Sequence, residues 1–470
     1  MHTKSFYIHT LGCRVNQAQS DELAVKLSAS GWIQTDTPKD ADICIVNTCT
    51  VTSEADKKSR KMVRWLKRQS DANVYVCGCS VKMNPDIYSE LGAKISLKQL
   101  GLSANKEQFK LNRGLQQSKN ETVDAVKDAT KANRVKSQQQ KVKRHIEINY
   151  DENTRSKALK KQGVATQSNN STDKSIRLHS RRGVIIQNGC NNACTYCIVH
   201  TARGPAKSKP ADKILDECIT LAKEGVHEII LTGIDLGAWN GVGDNNAILH
   251  QSTKTLSQLL KLLLSNTSDD VRFRLSSIEP TSINAELIDM LAKSSGRLCR
   301  YLHIPLQSGS TKVLQEMHRN YTAQEYKKLI DTLRIACPKI ALSTDIIVGF
   351  PGETEQDFLE TYKLAKHAKF MKLHIFPYSM REGTPAAKRT DQIDPITKAN
   401  RARRLKELND ELAARDLAVR HGTTEGVIIE TKIEENTNKK SFLCTGTTES
   451  FHTIKFTSNK KEGSLINTII

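Results

Sequence analysis

Three cysteines, Cys190, Cys194 and Cys197, fall within eight residues at C-x3-C-x2-C spacing, directly after the short apolar run Val184-Ile185-Ile186-Gln187. A loop this tight can wrap three thiolates around one iron–sulfur cube. Full ligation of such a cluster takes four thiolates, so three leave one iron open for a small chelating molecule. Two other readings stand beside this one. His200 follows at C-x2-H, which would complete a Cys3His structural zinc site, although a zinc ribbon usually presents two C-x2-C knuckles and this stretch has one. Three unconnected core thiols are the remaining reading, and the close spacing argues against it.

A second set is scattered. Ser5–Leu11 (SFYIHTL), Asp42–Thr48 (DICIVNT) and Asn73–Cys77 (NVYVC) read as strands, rich in aromatic and β-branched residues. Between them lie a helical pattern at Ser20–Ala29 and a basic helix opened by Ser53-x-x-Asp56, close to a capping box. Strand, helix, strand, helix, strand favours a parallel sheet, and such sheets bind ligands at the carboxyl ends of their strands. Cys13, Cys49 and Cys79 each follow such an end. Any one of them reads as a small buried apolar residue; three on one edge read as a metal site. Cys77 lies two residues from Cys79, on the same strand face, so periodicity does not separate them. Gly78-Cys79 repeats Gly12-Cys13, which selects Cys79, and Cys44 reads as core.

The elements that must position these thiols follow from the rest of the chain. Strand-like runs at Val184–Gln187, Glu228–Thr232, Arg272–Ser277, Tyr301–Leu306, Ala341–Val348 and Lys372–Pro377 are separated by helical stretches such as Pro210–Glu224, Leu256–Leu264 and Glu355–Ala368. Six β/α units suggest an incomplete barrel with its site at the carboxyl ends of the strands. Those ends are polar or glycine-rich, at Thr232-Gly233-Ile234-Asp235, Ser276–Pro280, Gln307-Ser308-Gly309 and Val348–Glu353, where exposed backbone can approach a ligand closely. Asp394-Pro395 starts a long helix that Gly422 ends. Its Arg401, Arg403, Arg404, Lys406, Arg415 and Arg420 read either as a solvated face or as an RNA contact.

At 470 residues the chain accommodates two or three domains. The expected fold is α/β: an open parallel-sheet domain (1–115), a disordered basic insert (116–178), a partial (β/α)6 barrel with its C-terminal helix (179–422) and a small β-barrel (423–470). The insert is expected because its composition, almost free of large apolar residues, buries too little surface to offset chain entropy. A net charge of +20, from 71 Lys and Arg against 51 Asp and Glu, points to a polyanionic partner. No run approaches transmembrane length and the N-terminus lacks the apolar stretch of a signal peptide. A cytoplasmic location without membrane contact is therefore expected, where clustered Cys indicates metal or catalysis more than disulfides.

Thr10–Gln17 (TLGCRVNQ), Asn47–Asp56 (NTCTVTSEAD) and Gly189–Cys197 (GCNNACTYC) resemble the radical S-adenosylmethionine methylthiotransferases. So do Leu231–Gly237, Ser276–Pro280, Leu306–Gly309, Asp345–Glu353 and Pro377–Pro385. The wording around Cys13 and Cys49 is most similar to the branch acting on N6-threonylcarbamoyladenosine in tRNA. Lys207-Ser208-Lys209 stands where the family usually has Arg-Ser-Arg, and Ser80-Val81-Lys82 where a Tyr-Ala-Gln-like run is usual.

The resemblance implies two [4Fe–4S] clusters, one on Cys190, Cys194 and Cys197 and an auxiliary one on Cys13, Cys49 and Cys79. It implies S-adenosylmethionine, with Tyr196, Gly233, Glu279 and Gly349 assigned to its contacts, and no catalytic side chain beyond the cluster ligands. The implied reaction is methylthiolation at C2 of the adenine at position 37, beside the anticodon, with tRNA held partly by a C-terminal TRAM-like barrel. A flavodoxin- or ferredoxin-type reductant and a monomeric enzyme complete the expectation. Two alternatives differ: a methylthiotransferase for isopentenyladenosine or a ribosomal-protein aspartate, and a non-catalytic iron–sulfur or zinc RNA-binding protein.

Overall fold

The structure, a computed structural model, describes residues 4–100, 180–241, 253–436 and 441–470. The insert expected at 116–178 lies outside the described residues. Those on either side of it belong to one compact unit.

The first strands run β1 (Ser5–Thr10), β2 (Ile33–Gln34), β3 (Ile43–Thr48) and β4 (Asn73–Gly78), paired in parallel in the order β2-β1-β3-β4. All six residues of β3 are buried, as befits a central parallel strand covered on both faces. The helices that cover the sheet are α1 (Arg14–Ala29), α2 (Ser53–Gln69), α3 (Cys79–Met83) and α4 (Pro85–Glu90). Helix α1 begins six residues before the apolar pattern at Ser20 suggested, because Asn16 and Ser20 are buried yet polar. Helix α2 is capped by Thr52, whose hydroxyl accepts from the Ala55 N–H at 3.1 Å, in place of the expected Ser53–Asp56 pair. Asp56 is engaged elsewhere, as described below.

The barrel strands are β5 (Arg182–Ile185), β8 (Glu228–Thr232), β9 (Arg272–Leu275), β10 (Tyr301–His303), β11 (Ala341–Val348) and β12 (Lys372–Pro377). They form two parallel three-stranded sheets, β5-β8-β9 and β10-β11-β12, joined by a parallel bridge between Ser277 and His303. This is the expected partial (β/α)6 barrel. Two short strands, β6 (Gln187–Asn188) and β7 (Lys207–Ser208), pair antiparallel between β5 and β8. The helices are α5 (Val199–Arg203), α6 (Ala211–Lys223), α7 (Leu256–Asn266), α8 (Ala285–Lys293), α9 (Thr311–Glu316), α10 (Ala323–Ala336), α11 (Glu355–Ala368) and α12 (Pro395–Arg420). Three of them open on reciprocal side-chain caps, Thr255 with Gln258, Thr322 with Glu325 and Thr354 with Asp357. Helix α1 packs on β5 so closely that a Cβ on Gly183 would lie 3.0 Å from the Ala18 Cβ.

After α12, capped by Asp394 with Pro395 at its first position, come β13 (Thr424–Asn436), β14 (Ser441–Thr448), β15 (Thr453–Ser458) and β16 (Leu465–Ile469). They make an antiparallel sheet of order β15-β14-β13-β16. The small barrel expected there is, among the described residues, a four-stranded sheet whose outer strands are not paired with each other. The sheet seals the amino-terminal end of the barrel. Glu228, at the start of β8 and without exposed surface, pairs with Arg272 at 2.6 Å and Arg274 at 2.8 Å. Those arginines donate onward to the carbonyls of Gly426, Thr447, Thr448 and Glu449.

The basic face expected on α12 needs correction. Arg401 is buried against Glu353 at 2.6 Å and Arg420 against Asp416 at 2.7 Å. Arg403, Arg404 and Lys406 pair with Glu407, Glu355 and Asp410. Most of that charge is consumed within the fold, by acids that lie on other elements or one turn away.

Candidate active site

Cys13, Cys49 and Cys79 stand at the carboxyl ends of β1, β3 and β4, the first and third each directly after a glycine of positive φ. Gly12 has φ +98°, and a Cβ there would lie 2.8 Å from the Cys49 sulfur. The first and second cysteine-bearing turns therefore touch. Gly78 has φ +93°, and a Cβ there would meet the Thr48 carbonyl at 2.3 Å, so the second and third turns touch as well. Only glycine adopts these angles without strain and leaves room for the neighbour. Asn16 braces the arrangement: its amide donates to the carbonyls of Leu11 at 2.7 Å and Thr48 at 3.0 Å.

Burial pushes the Cys49 thiol up to about 11, with Cys13 and Cys79 among the charges that raise it further. Cys79 is raised by burial too, against the pull of Arg203, and feels Cys13. Cys77 is pushed up to about 12 by burial and has Arg203, Lys82 and Cys79 as its charged neighbours. Cys79 thus acts electrostatically on Cys49 and feels Cys13, whereas among the thiols Cys77 is coupled to Cys79. Cys13 is exposed while Cys49 and Cys79 are buried. Cys44 is buried mid-strand, as read from the sequence.

The other three thiols hang from the β6–β7 ladder. The Cys190 N–H donates to the Gly204 carbonyl at 3.0 Å, and the Cys197 N–H to the Cys194 carbonyl at 3.1 Å. Each sulfur is met by a donor: Asn192 N–H on Cys190 at 3.4 Å, Val199 N–H on Cys197 at 3.4 Å and Arg319 Nη1 on Cys194 at 3.3 Å. Burial raises Cys190 and pushes Cys197 up to about 11. Tyr196 packs on an apolar group that includes Val313, Met317, Phe350 and Tyr378. Thr195 anchors the loop to α9 through the Glu316 carbonyl at 2.8 Å.

Gly233 faces Gln187, whose Oε1 would lie 3.0 Å from an added Cβ and accepts from the Asp235 N–H at 2.9 Å. Glu279 forms an ion pair with Arg319. Burial raises its carboxyl, with Arg319 opposing, and also raises that of Asp235. Both carboxylates act electrostatically on Cys190. Gly349 has φ +70° and donates to Glu353 at 2.7 Å, and its open side is filled by the Lys398 stem.

Three arginines that composition did not single out organise the site. Arg319 bridges Cys194 and Glu279. Arg381, from the loop after β12, reaches Asp56 at 2.5 Å and Thr50 at 2.7 Å, tying the Cys49 turn to the barrel. Asp56 also accepts from Ser80 at 2.6 Å, which gives that departure from the usual run a place in the network. Arg203, at the end of α5, donates through Nε to the Cys79 sulfur at 2.9 Å. The only local signal for it was the Ala202-Arg203-Gly204 turn.

The donor sets suit iron–sulfur clusters. Each comprises three thiols with N–H groups or a guanidinium aimed at sulfur, which favours thiolates, and the missing side chain at Gly12 lets the Cys49 turn approach it directly. Among the described residues no three Cys, His, Asp or Glu side chains close on one point as a lone ion requires. That is the arrangement a Cys3His zinc site with His200 needs, and a cube, which binds each thiolate to a different iron, does not.

A family model described as the radical SAM superfamily matches residues 184–365, and one described as an uncharacterized protein family, UPF0004, matches residues 5–102. The chain is 33% identical to the threonylcarbamoyladenosine tRNA methylthiotransferase MtaB of Bacillus subtilis, over 95% of this chain and 89% of that one. It is 31% identical to the protein of that name in Thermotoga maritima, over 89% and 83% of the two chains. It is 30% identical to a tRNA-2-methylthio-N(6)-dimethylallyladenosine synthase of Clostridium botulinum, over 98% and 93%.

Proposed function

We infer that this chain, which belongs to the radical SAM tRNA methylthiotransferases, places a methylthio group on C2 of N6-threonylcarbamoyladenosine at position 37 of tRNA. The observation that carries the reading is the meeting of Cys13, Cys49 and Cys79 at one sheet edge, joined through Arg203 to the loop bearing Cys190, Cys194 and Cys197. The preference for the threonylcarbamoyl base rests on the residues around Cys13 and Cys49 and on the 33% identity to the Bacillus subtilis protein.

Cys190, Cys194 and Cys197 would hold one [4Fe–4S] cluster and Cys13, Cys49 and Cys79 the other, each with one iron free of protein ligand. When bound, these clusters and S-adenosylmethionine supply what no side chain can: a radical able to attack an aromatic C–H, the sulfur and the methyl group. The chain's own part is positioning and charge. Arg319, Asn192 and Val199 donate to the sulfurs of the barrel loop and favour their thiolate forms. Tyr196 wedges that loop onto the barrel. Gly233 and Glu279, which follow the neighbouring strands β8 and β9, and Gly349, which follows β11, would contact S-adenosylmethionine, and Glu279 acts electrostatically on Cys190.

For tRNA, α2, which begins four residues after Cys49, offers Lys57, Lys58, Lys61, Arg64, Lys67 and Arg68 on an exposed face. Phosphates dominate such affinity, and an anticodon-loop base leaves its stack at little cost. No helix among the described residues is long and apolar enough to cross a membrane.

Two variants test the roles. Cys190→Ala abolishes 5′-deoxyadenosine formation, whereas Cys49→Ala spares it and blocks thiolation; a Cys49→Ala protein that still methylthiolates would refute the assignment. The second reading, dimethylallyladenosine as target, is favoured by the 30% identity to the Clostridium botulinum synthase. Nucleoside mass spectrometry of tRNA from a deletion strain separates the two, because only the true target's methylthio derivative disappears.

A further inference from the structure

We infer that Arg203 is a positioning residue that fastens the thiols of the N-terminal sheet to the cysteine loop of the barrel and balances the charge of the Cys79 thiolate. This rests on the reading of Cys13, Cys49 and Cys79 as ligands of one [4Fe–4S] cluster. One guanidinium serves four acceptors on three separate segments: Cys79 Sγ at 2.9 Å, Asn16 Oδ1, Gln19 Oε1 at 3.4 Å and Asn188 Oδ1 at 3.3 Å. Asn16 in turn grips the Leu11 and Thr48 carbonyls, on the turns that carry Cys13 and Cys49. Arg203 therefore holds all three cysteine turns, one directly and two through Asn16.

Its other side is held to the second set. Helix α5 starts at Val199, whose N–H meets the Cys197 sulfur, and it ends at Gly204, whose carbonyl accepts the Cys190 N–H. The five residues of α5 are thus closed onto both ends of the C-x3-C-x2-C loop, and Arg203 transmits that position to the sheet. Arginine suits the task because its planar fork presents five N–H groups in fixed directions, whereas lysine carries the charge without the fork. Hydrogen bonds and charge at a ligating sulfur also set the reduction potential of a cluster.

The test uses the full chain with Cys190, Cys194 and Cys197 all changed to Ala, so that only the N-terminal site takes up iron. After anaerobic reconstitution, iron per chain and the reduction potential are measured with Arg203, Arg203→Lys and Arg203→Gln. Arg203→Gln is expected to retain iron and to shift the reduction equilibrium at least tenfold toward the oxidised form, about 59 mV for a one-electron couple. Arg203→Lys, which keeps the charge, is expected to shift it less. In chains with all six cysteines, both variants are expected to form 5′-deoxyadenosine as the parent does while methylthiolated product per 5′-deoxyadenosine falls at least tenfold. Loss of iron in Arg203→Gln with retention in Arg203→Lys also supports the charge role. An iron-loaded Arg203→Gln with the parent's potential, or an unchanged product ratio, overturns the inference about Arg203 alone. An iron-free triple-Ala protein that retains Arg203 overturns the reading of the N-terminal thiols, and this inference with it.

Discussion

Replacing Gly12 by alanine separates two costs that the Cys49 turn combines. The first is conformational: Gly12 sits at φ +98°, where an L-residue pays about 1–2 kcal/mol. The second is steric, because the new Cβ would lie 2.7 Å from the Cys49 Cβ and 2.8 Å from its sulfur. Forcing an atom into filled space costs about 1–3 kcal/mol more. Gly31 supplies the control, with φ +85° and no atom within 4 Å of an added Cβ. Gly31→Ala should therefore lose only the conformational part, and Gly12→Ala should be less stable by a further ~1–3 kcal/mol. The gain from restricting the unfolded chain is common to both and cancels. Urea unfolding of the iron-free proteins measures the difference. Anaerobic reconstitution then adds a chemical readout: displacement of the Cys49 sulfur should leave Gly12→Ala with about half the iron of Gly31→Ala, one cluster where the control holds two. Equal stability and equal iron in the two variants would show that the turns of Cys13 and Cys49 do not touch as described.

Glu228→Gln removes the carboxylate that the buried Arg272 and Arg274 share, and should cost about 3–5 kcal/mol in denaturant unfolding. Burial alone would raise Glu228, but Arg274, Arg272 and Arg181 overcome it and hold the carboxyl well below its ordinary range. Its stabilisation is thus complete above the unfolded carboxylate value and is lost as pH falls through the lowered one, so Glu228→Gln should flatten the acid limb of the stability profile. Arg381→Ala strands the buried Asp56 carboxylate, which keeps the hydroxyls of Thr50 and Ser80 as donors; a loss of about 3 kcal/mol and faster hydrogen exchange in α2 are expected. In iron-free protein, iodoacetamide should label the exposed Cys13 well before Cys49, whose buried thiol is pushed up to about 11. A peptide time course in which Cys49 reacts as fast as Cys13 would contradict the burial.

Local spacing alone identified the C-x3-C-x2-C loop, and runs of apolar residues bounded by turn residues located β8, β11, β12 and α11 with the bounds the structure gives them. Both kinds of signal are short in sequence, and each is complete within a few residues. Parallel pairing was legible in the same way, since alternating strands and helices favour a parallel sheet with Cys13, Cys49 and Cys79 at its carboxyl edge, but the order β2-β1-β3-β4 and the short β2 itself were not. The choice between Cys77 and Cys79 was not, because two residues apart on a strand share a face. The structure separates their surroundings, because Gly78, with its positive φ, ends β4 and Cys79 opens α3.

Charge was the least legible feature. Arg401 and Arg420 looked like parts of a solvated or RNA-facing helix, yet Glu353, distant in sequence, and Asp416, one helical turn away, bury them. Arg203, Arg319 and Arg381 carried no mark in composition, and their partners Cys79, Glu279 and Asp56 lie 124, 40 and 325 residues away along the chain. The chain by itself thus marked the candidate thiols and most of the segments that become strands and helices. Only the tertiary structure decided which guanidinium meets which sulfur or carboxylate, because the value of a charge depends on what folding brings to within a few ångströms of it.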